Sequence, residues 1–357
     1  MKRYRKWFFT GLIILAVELG CVALLNYIVD PNGLFRYGTW RHDISHQYLL
    51  VSKNFIKTRY IVQNPRKFDC LIFGSSRVNY IDVSKIKAAT CYNMTYAAGL
   101  PRYHLDNLRY MLAKGVRLKI VLIGFDEFSY KYDPSEEFND YLRYPYPPVV
   151  HKSTALFYLK YLVRYSSKSM NNAYEGYRGK RPPVPYDHYG TGLEIPDPKE
   201  EARIDADPVT YAKDPKFLQP LDTKGDRMEQ TLEEIRETVD LLRAHGIRLI
   251  VFMNPIHKTT YLDTGLKKLF HFEKELSTIT SFYDFNGLNS ITTNNANYFE
   301  TNHYRFKVGA LIIARIFNDT SVKVPADFGV LVTKENIDEH LTYLRNQVAG
   351  LRLSLSD

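Results

Sequence analysis

The chain has 357 residues, 45% of them hydrophobic and 24% charged, which is enough to build a substantial core and too apolar for an intrinsically disordered protein. Its formal charge of +9 falls to +5 once Lys2, Arg3, Arg5 and Lys6 are set aside, and no basic stripe with interleaved aromatics remains, so a nucleic-acid partner is disfavoured. Its cysteines, Cys21, Cys70 and Cys91, form no zinc-type spacing with histidine, and neither a metal nor a cofactor is expected.

The N-terminus "MKRYRK" runs into 23 predominantly apolar residues, Trp7 to Val29. As a helix this run spans roughly 34 Å, enough for a bilayer core. It is too long for a signal-peptide core, and no small-residue cleavage site follows. A lipoprotein signal at Cys21 is ruled out by Glu18, three residues before it, and by the apolar run continuing beyond the cysteine. The basic cluster predicts an uncleaved anchor with the N-terminus in the cytoplasm and everything after about residue 30 outside. Glu18 falls near mid-bilayer, where a charge costs about 2.5–3.5 kcal/mol. Two readings stand for it: it meets a partner helix, or its neighbours outweigh it.

After a Pro/Gly-punctuated linker, "DPNGLFRYGTW", residues 44–63 carry a loose helical pattern. Strands and helices then alternate. "CLIF" (70–73) and "CYNM" (91–94) read as strands, "YHLDNLRYMLAKG" as a helix stopped by Gly115, and "KIVLIGF" (119–125) as a third strand. Residues 128–225 break the regularity with a Pro- and Tyr-rich insertion that includes "YLRYPYPP", a short helix in "STALFYLKYLVRY", and "GKRPPVPYDHYG". Twelve tyrosines between Tyr130 and Tyr189 argue for an ordered loop, either a lid or a binding insertion. Met228, Leu232, Ile235, Val239 and Leu242 share one helix face, "IRLIVFM" (247–253) is a fourth strand and "SFYDF" (281–285) a fifth. Helices over 306–317 and 333–348 close the chain. The alternation predicts an α/β fold, a mainly parallel sheet with helices on both faces. The chain divides into an anchor (1–29), a linker and helical stalk (30–65), an α/β domain (66–320) interrupted at 128–225, and a helical extension (321–357).

Active sites of such folds gather beyond the C-terminal ends of the strands. Ser75, Ser76, Asn93, Gly99 and Asp126 lie at or past such ends. Serine acyl transfer needs a nucleophile, a base, an acid to orient it and donors for the oxyanion. "GSSR" (74–77) supplies hydroxyls, which read equally as helix caps. "YFETNHYRF" places Glu300 three residues before His303 on a turn that leads into a helix. His257 and His104 are alternative bases, each read as a pocket or surface histidine. A di-iron reading of Glu-x-x-His fails for want of a second copy. Cys70 and Cys91, each opening a strand, either bridge or remain buried thiols.

The order Gly74-Ser75-Ser76-Arg77, Gly99, Gly124-Phe125-Asp126 and Glu300-x-x-His303, over residues 66–317, resembles the SGNH (GDSL-like) hydrolase superfamily. With the anchor and "GSSR" it is most similar to the membrane-tethered branch that includes alginate O-acetyltransferase-like and D-alanyl-lipoteichoic acid biosynthesis proteins. The resemblance implies a flavodoxin-like three-layer α/β/α sandwich. It makes Ser76 the nucleophile, His303 the base and Glu300 the acid, with the N–H groups of Ser76 and Gly99 as oxyanion hole and Arg77, Asp126 and His257 facing substrate. It implies an esterase or O-acyltransferase acting on acyl groups of a cell-surface polysaccharide, beside a multi-pass membrane acyltransferase. Two positions depart from the pattern. Glu300 stands where Asp is usual, and Asp126 stands where an Asn side chain normally donates to the oxyanion. An ionised Asp126 only accepts and would repel an oxyanion, so it is expected to turn toward Arg77 or the Ser76 loop. These departures leave open a second reading, a non-catalytic polysaccharide-binding or assembly subunit.

Overall fold

The computed structural model describes residues 2–31, 34–35, 52–135, 144–164, 166–167, 170–171, 174–175, 178, 187, 190–193, 197–221 and 224–354. Most of "DPNGLFRYGTW", the 44–51 part of the helical pattern and most of "GKRPPVPYDHYG" lie outside these. The chain forms two compact units, Met1–Arg59 with Asn139–Pro185, and Tyr60–Phe138 with Tyr186–Asp357. The 128–225 stretch is thus shared between them.

In the first unit, α1 runs from Lys2 to Val29, and its stretch Tyr4–Val29 is long and apolar enough to cross a membrane. α2 begins at Lys53 in this unit and ends at Gln63 in the second, and α4 occupies Thr154–Val163.

The second unit is a mixed α/β structure around a mostly parallel six-stranded sheet. In chain order it contains β1 (Cys70–Phe73), β2 (Cys91–Asn93), α3 (Pro101–Ala113), β3 (Ile120–Phe125), α5 (Pro198–Ala206), α6 (Pro208–Tyr211), α7 (Met228–Ala244) and β4 (Arg248–Met253). There follow α8 (Lys258–Asp263), α9 (Leu266–Ile279), β5 (Phe282–Asp284), β6 (Tyr298–Glu300), β7 (His303–Tyr304), α10 (Phe306–Phe317), β8 (Val330–Val332) and α11 (Ile337–Ser354). The strand order is β2-β1-β3-β4-β5-β8, with β8 antiparallel to β5 and the rest parallel.

Alternation along each strand feeds two separate cores. Leu71, Phe73, Val121, Ile123, Val251 and Met253 pack with Leu108 of α3, Ile235 of α7, Leu276 of α9 and Leu344 of α11. Ile72, Leu122, Ile250 and Phe252 pack on the other side with Val308, Ile312 and Ile316 of α10. A strand with both faces buried reads as a continuous apolar run, which is why "CLIF" and "KIVLIGF" are visible in the sequence.

Four parts of the architecture have no counterpart in the sequence reading, the first being the helices α5 and α6 inside the Pro- and Tyr-rich insertion. α8 and α9 fill the crossover between β4 and β5, β8 adds an antiparallel edge, and β6 pairs with β7 in a separate two-stranded hairpin. Two or three residues per strand are too few to show a period. No α-helix follows "GSSR"; a 3-10 turn over Ser76–Tyr80 does. Cys70 and Cys91 face each other across neighbouring parallel strands and form a disulfide, their Cα atoms 4.2 Å apart. Of the two readings open for these cysteines, the bridge is therefore the one realised. Closing so short a loop stabilises the fold by about 3 kcal/mol in the chain-entropy account.

Candidate active site

The strand β1 ends at Phe73, and the next four residues reverse the chain. Gly74 packs so closely that a Cβ there would stand 2.4 Å from the Val78 side chain and 3.1 Å from the Gly124 carbonyl. Ser75 is buried and caps the 3-10 turn, its Oγ accepting from the Arg77 N–H at 3.2 Å. Arg77 is buried too. Ser76 is the residue of the four that reaches the surface. One hydroxyl is therefore the cap and the other is presented.

Ser76 Oγ lies 2.8 Å from His303 Nε2. His303 Nδ1 is bonded to Glu300 Oε1, and the other carboxylate oxygen accepts from the Asn302 N–H at 2.6 Å. A carboxylate only accepts, so Nδ1 carries the imidazole proton and Nε2 is left as acceptor for the Ser76 hydroxyl. Burial raises the Glu300 carboxyl, but its bonds from His303 and the Asn302 N–H, with the Arg77 charge nearby, outweigh this and hold it below the ordinary carboxylate range. The β6–β7 hairpin accounts for this geometry, since Glu300 and His303 are paired across it. Tyr80, on the same 3-10 turn as Ser76, sets its ring 5.6 Å from the His303 ring and also contacts Phe299, Tyr304 and Phe306.

Gly99 meets the turn that carries Ser76 directly: a Cβ at Gly99 would stand 2.3 Å from the Gly74 carbonyl oxygen. The N–H groups of Ser76 and Gly99 are both left without an acceptor among the described residues. His104 stands behind Gly99, its Cε1 2.9 Å from that same Cβ position. It is bonded to Tyr96 at 3.1 Å, and burial pushes its pKa down to about 3, so it stays neutral.

Arg77 ties these pieces together. Its Nε donates to the Asn302 carbonyl at 2.7 Å, inside the Glu300–His303 turn. Its Nη1 donates to Asp126 Oδ1 at 2.9 Å and to Glu127 Oε2, and its Nη2 donates to Glu127 Oε1 at 2.7 Å. Burial alone would lower the guanidinium pKa, but Glu127 and Asp126 more than offset this and raise it. Burial, reinforced by Glu127, pushes the Asp126 carboxyl above its usual range against the pull of Arg77. Asp126 also accepts from Asn254 Nδ2 at 3.0 Å, and Asn254 in turn accepts from the Tyr304 hydroxyl at 3.1 Å. Asp126 is thus turned toward Arg77, as its acceptor chemistry requires.

His257 is not brought to this cluster. It is fully buried, its Nδ1 accepting from the Thr259 N–H at 3.2 Å and its Nε2 bonded to Asn295 Oδ1 at 2.9 Å. One ring nitrogen caps the start of α8 and the other is bonded to Asn295 in the turn before β6, so neither is free for a substrate. Arg77 and Asp126 likewise point into protein and form a buried frame. Asn93 is also occupied, donating to the Val78 carbonyl at 3.0 Å. Sequence reasoning does not include Glu127, Tyr80 or Asn302. Glu127 adjoins Asp126 in "GFDEF" and Tyr80 follows Ser76 by four residues, but nothing one-dimensional shows which way either points. Among the described residues, no group of three or more acidic, His or Cys side chains is arranged to hold a metal ion.

Comparison with known proteins gives no matching family model and no matching curated protein.

Proposed function

We propose that this chain is a membrane-anchored, extracytoplasmic serine esterase or O-acyltransferase of the SGNH type, acting on ester-linked acyl groups of a cell-surface polysaccharide. One observation carries the reading: a presented Ser76 hydroxyl, 2.8 Å from a histidine whose other nitrogen is bonded to a carboxylate. The strand order β2-β1-β3-β4-β5 and a core on each sheet face favour the three-layer α/β/α arrangement of that superfamily. The Cys70–Cys91 bridge fits an oxidising compartment, and the basic tip of α1 fits a cytoplasmic N-terminus at a bacterial inner membrane.

In this mechanism Ser76 Oγ attacks the ester carbonyl carbon while its proton passes to His303 Nε2, and the charge that develops on Nδ1 is stabilised by Glu300. The N–H groups of Ser76 and Gly99 donate to the oxyanion. Collapse returns the proton to the leaving sugar oxygen and leaves an acyl group on Ser76. His303 then deprotonates water, or a second hydroxyl, to release it. An acyl group supplied from the cytoplasm calls for a multi-pass membrane partner.

A second reading rests on Asp126. Held by Arg77 and Asn254, it adds no side-chain donor to the oxyanion, and loss of one donor costs about 10²–10³ in rate. The chain is then a binding or assembly subunit. A fluorophosphonate probe on the full-length protein in detergent separates the two. Labelling at Ser76, with p-nitrophenyl acetate hydrolysis falling by as much as about 10⁶-fold in Ser76→Ala, is the expected result. A folded wild type that takes no label, or equal hydrolysis in both forms, rejects the serine mechanism.

A further inference from the structure

The helix α4 presents an unexplained surface. Leu156, Leu159 and Val163 follow one another by three and four residues and are 50%, 57% and 38% exposed. Its other side faces inward, with Phe157 against Phe55 and Tyr144 at 5.4 and 4.8 Å between ring centroids. The helix is well formed at both ends. Ser153 caps it by accepting from the Leu156 N–H at 3.3 Å, and the Asn26 amide donates to the carbonyls of Leu162 and Arg164 at 2.7 and 3.1 Å.

Asn26 belongs to the last turn of α1. Tyr161, on the inner face of α4, donates to Asp30 at 3.2 Å, directly after α1 ends. Polar bonds thus fix α4 to the point where the apolar run of α1 stops. If that run crosses a bilayer, its last turn lies at headgroup level, and so does α4. The local charge fits this position. Residues 141–174 contain five Lys or Arg and no Asp or Glu; Lys160 and Arg164, at the C-terminal end of α4, and Lys152, just before it, are all exposed.

We propose that α4 is a second membrane contact, an interfacial helix lying in the leaflet where α1 ends. Leu156, Leu159 and Val163 enter the boundary between headgroups and acyl chains, while Lys152, Lys160 and Arg164 extend to anionic lipid phosphates. A basic helix with one apolar stripe binds such a surface through both terms at once. The proposal rests on α1 crossing the membrane and is independent of the chemistry at Ser76.

The test uses the full-length chain in vesicles of phosphatidylcholine and phosphatidylglycerol. An environment-sensitive fluorophore is placed on the native Cys21 of α1 or, in a Cys21→Ala background, on Leu159→Cys. Leu156→Cys serves as a repeat site. Lipids carrying a nitroxide near the headgroup or deep in the acyl chain act as quenchers. The expected result is quenching at 159 and 156 mainly by the shallow nitroxide, and at Cys21 mainly by the deep one. A quenched Cys21 with 159 and 156 unquenched overturns the interfacial helix while leaving the anchor in place, and would assign this face to a protein partner. Unquenched probes at all three positions overturn the membrane-spanning reading of α1 and the proposal with it.

Discussion

The guanidinium of Arg77 is 2% exposed and reaches two carboxylates and a backbone carbonyl. The carbonyl belongs to Asn302, so one side chain ties the turn that carries Ser76 to the turn that carries His303. Lysine is a point charge on a flexible stem and cannot meet that planar set of acceptors. Arg77→Lys is expected to keep its fold and KM while kcat and the rate of fluorophosphonate labelling drop about 10²-fold, the scale of a small misplacement of reacting groups. A labelling rate equal to wild type would show that the tether is not needed. Glu300 acts on His303 directly. Glu300→Gln preserves the shape but offers an amide that can satisfy the wrong imidazole tautomer. Its kcat is expected to fall about 10⁴-fold with little change in thermal stability, as read by ester hydrolysis beside a melting curve.

At the scale of elements, α9 meets the end of β5 through a buried acidic pair. Glu273 is fully buried, one carboxylate oxygen accepts from Asn286 Nδ2 at 3.3 Å, and the other has no partner among the described residues. Burial, then the nearby Asp284, pushes its pKa well above the usual value. Asp284 is occupied by His340 of α11 at 2.7 Å, so one carboxylate of the pair also anchors the last helix. A carboxyl whose folded pKa is raised binds more protons folded than unfolded. Its stability contribution is therefore complete below the unfolded value near pH 4.3 and is lost as pH rises through the folded value. Glu273→Gln removes this dependence. The melting temperature of the variant is expected to exceed that of wild type at pH 7 and above, with the gap closing toward pH 4. A gap independent of pH would show that Glu273 does not titrate in this way.

For the whole molecule, the proposed division of labour is an anchor unit that meets the bilayer and a sheet unit that carries the chemistry. Glu18, near the middle of the apolar run, is where the anchor would recognise another membrane protein. Burying its carboxyl against a polar group relieves a cost that lipid alone imposes. Glu18→Leu is expected to leave membrane insertion and ester hydrolysis unchanged, while reducing both co-purification of a polytopic partner in a detergent pull-down and acylation of the surface polymer in cells. If neither changes, Glu18 is tolerated by its apolar neighbours and has no docking role.

Properties carried by unbroken runs of residues are legible in this sequence. The apolar stretch from Trp7 to Val29, the buried strands "CLIF" and "IVLIGF" and the single face of α7 each declare themselves, because length and period are local quantities. The proximity of Glu300 and His303 is legible for the same reason: three residues on a turn cannot move far apart. Other features needed the fold. Whether Ser75 or Ser76 is presented depends on which way a reversing turn faces, and Ser75 is spent on the cap while Ser76 emerges. The pairing of Cys70 with Cys91 required a strand register, and the retreat of Asp126 required Arg77 and Glu127 to be buried beside it. His257 shows the same limit from the other side, since only burial and the Thr259 and Asn295 bonds remove it from the candidate site. Sequence sets what each segment can be, whereas contacts between residues far apart in the chain, here 49 between Arg77 and Asp126 and 227 between Ser76 and His303, exist only once the sheet has brought the strand ends together.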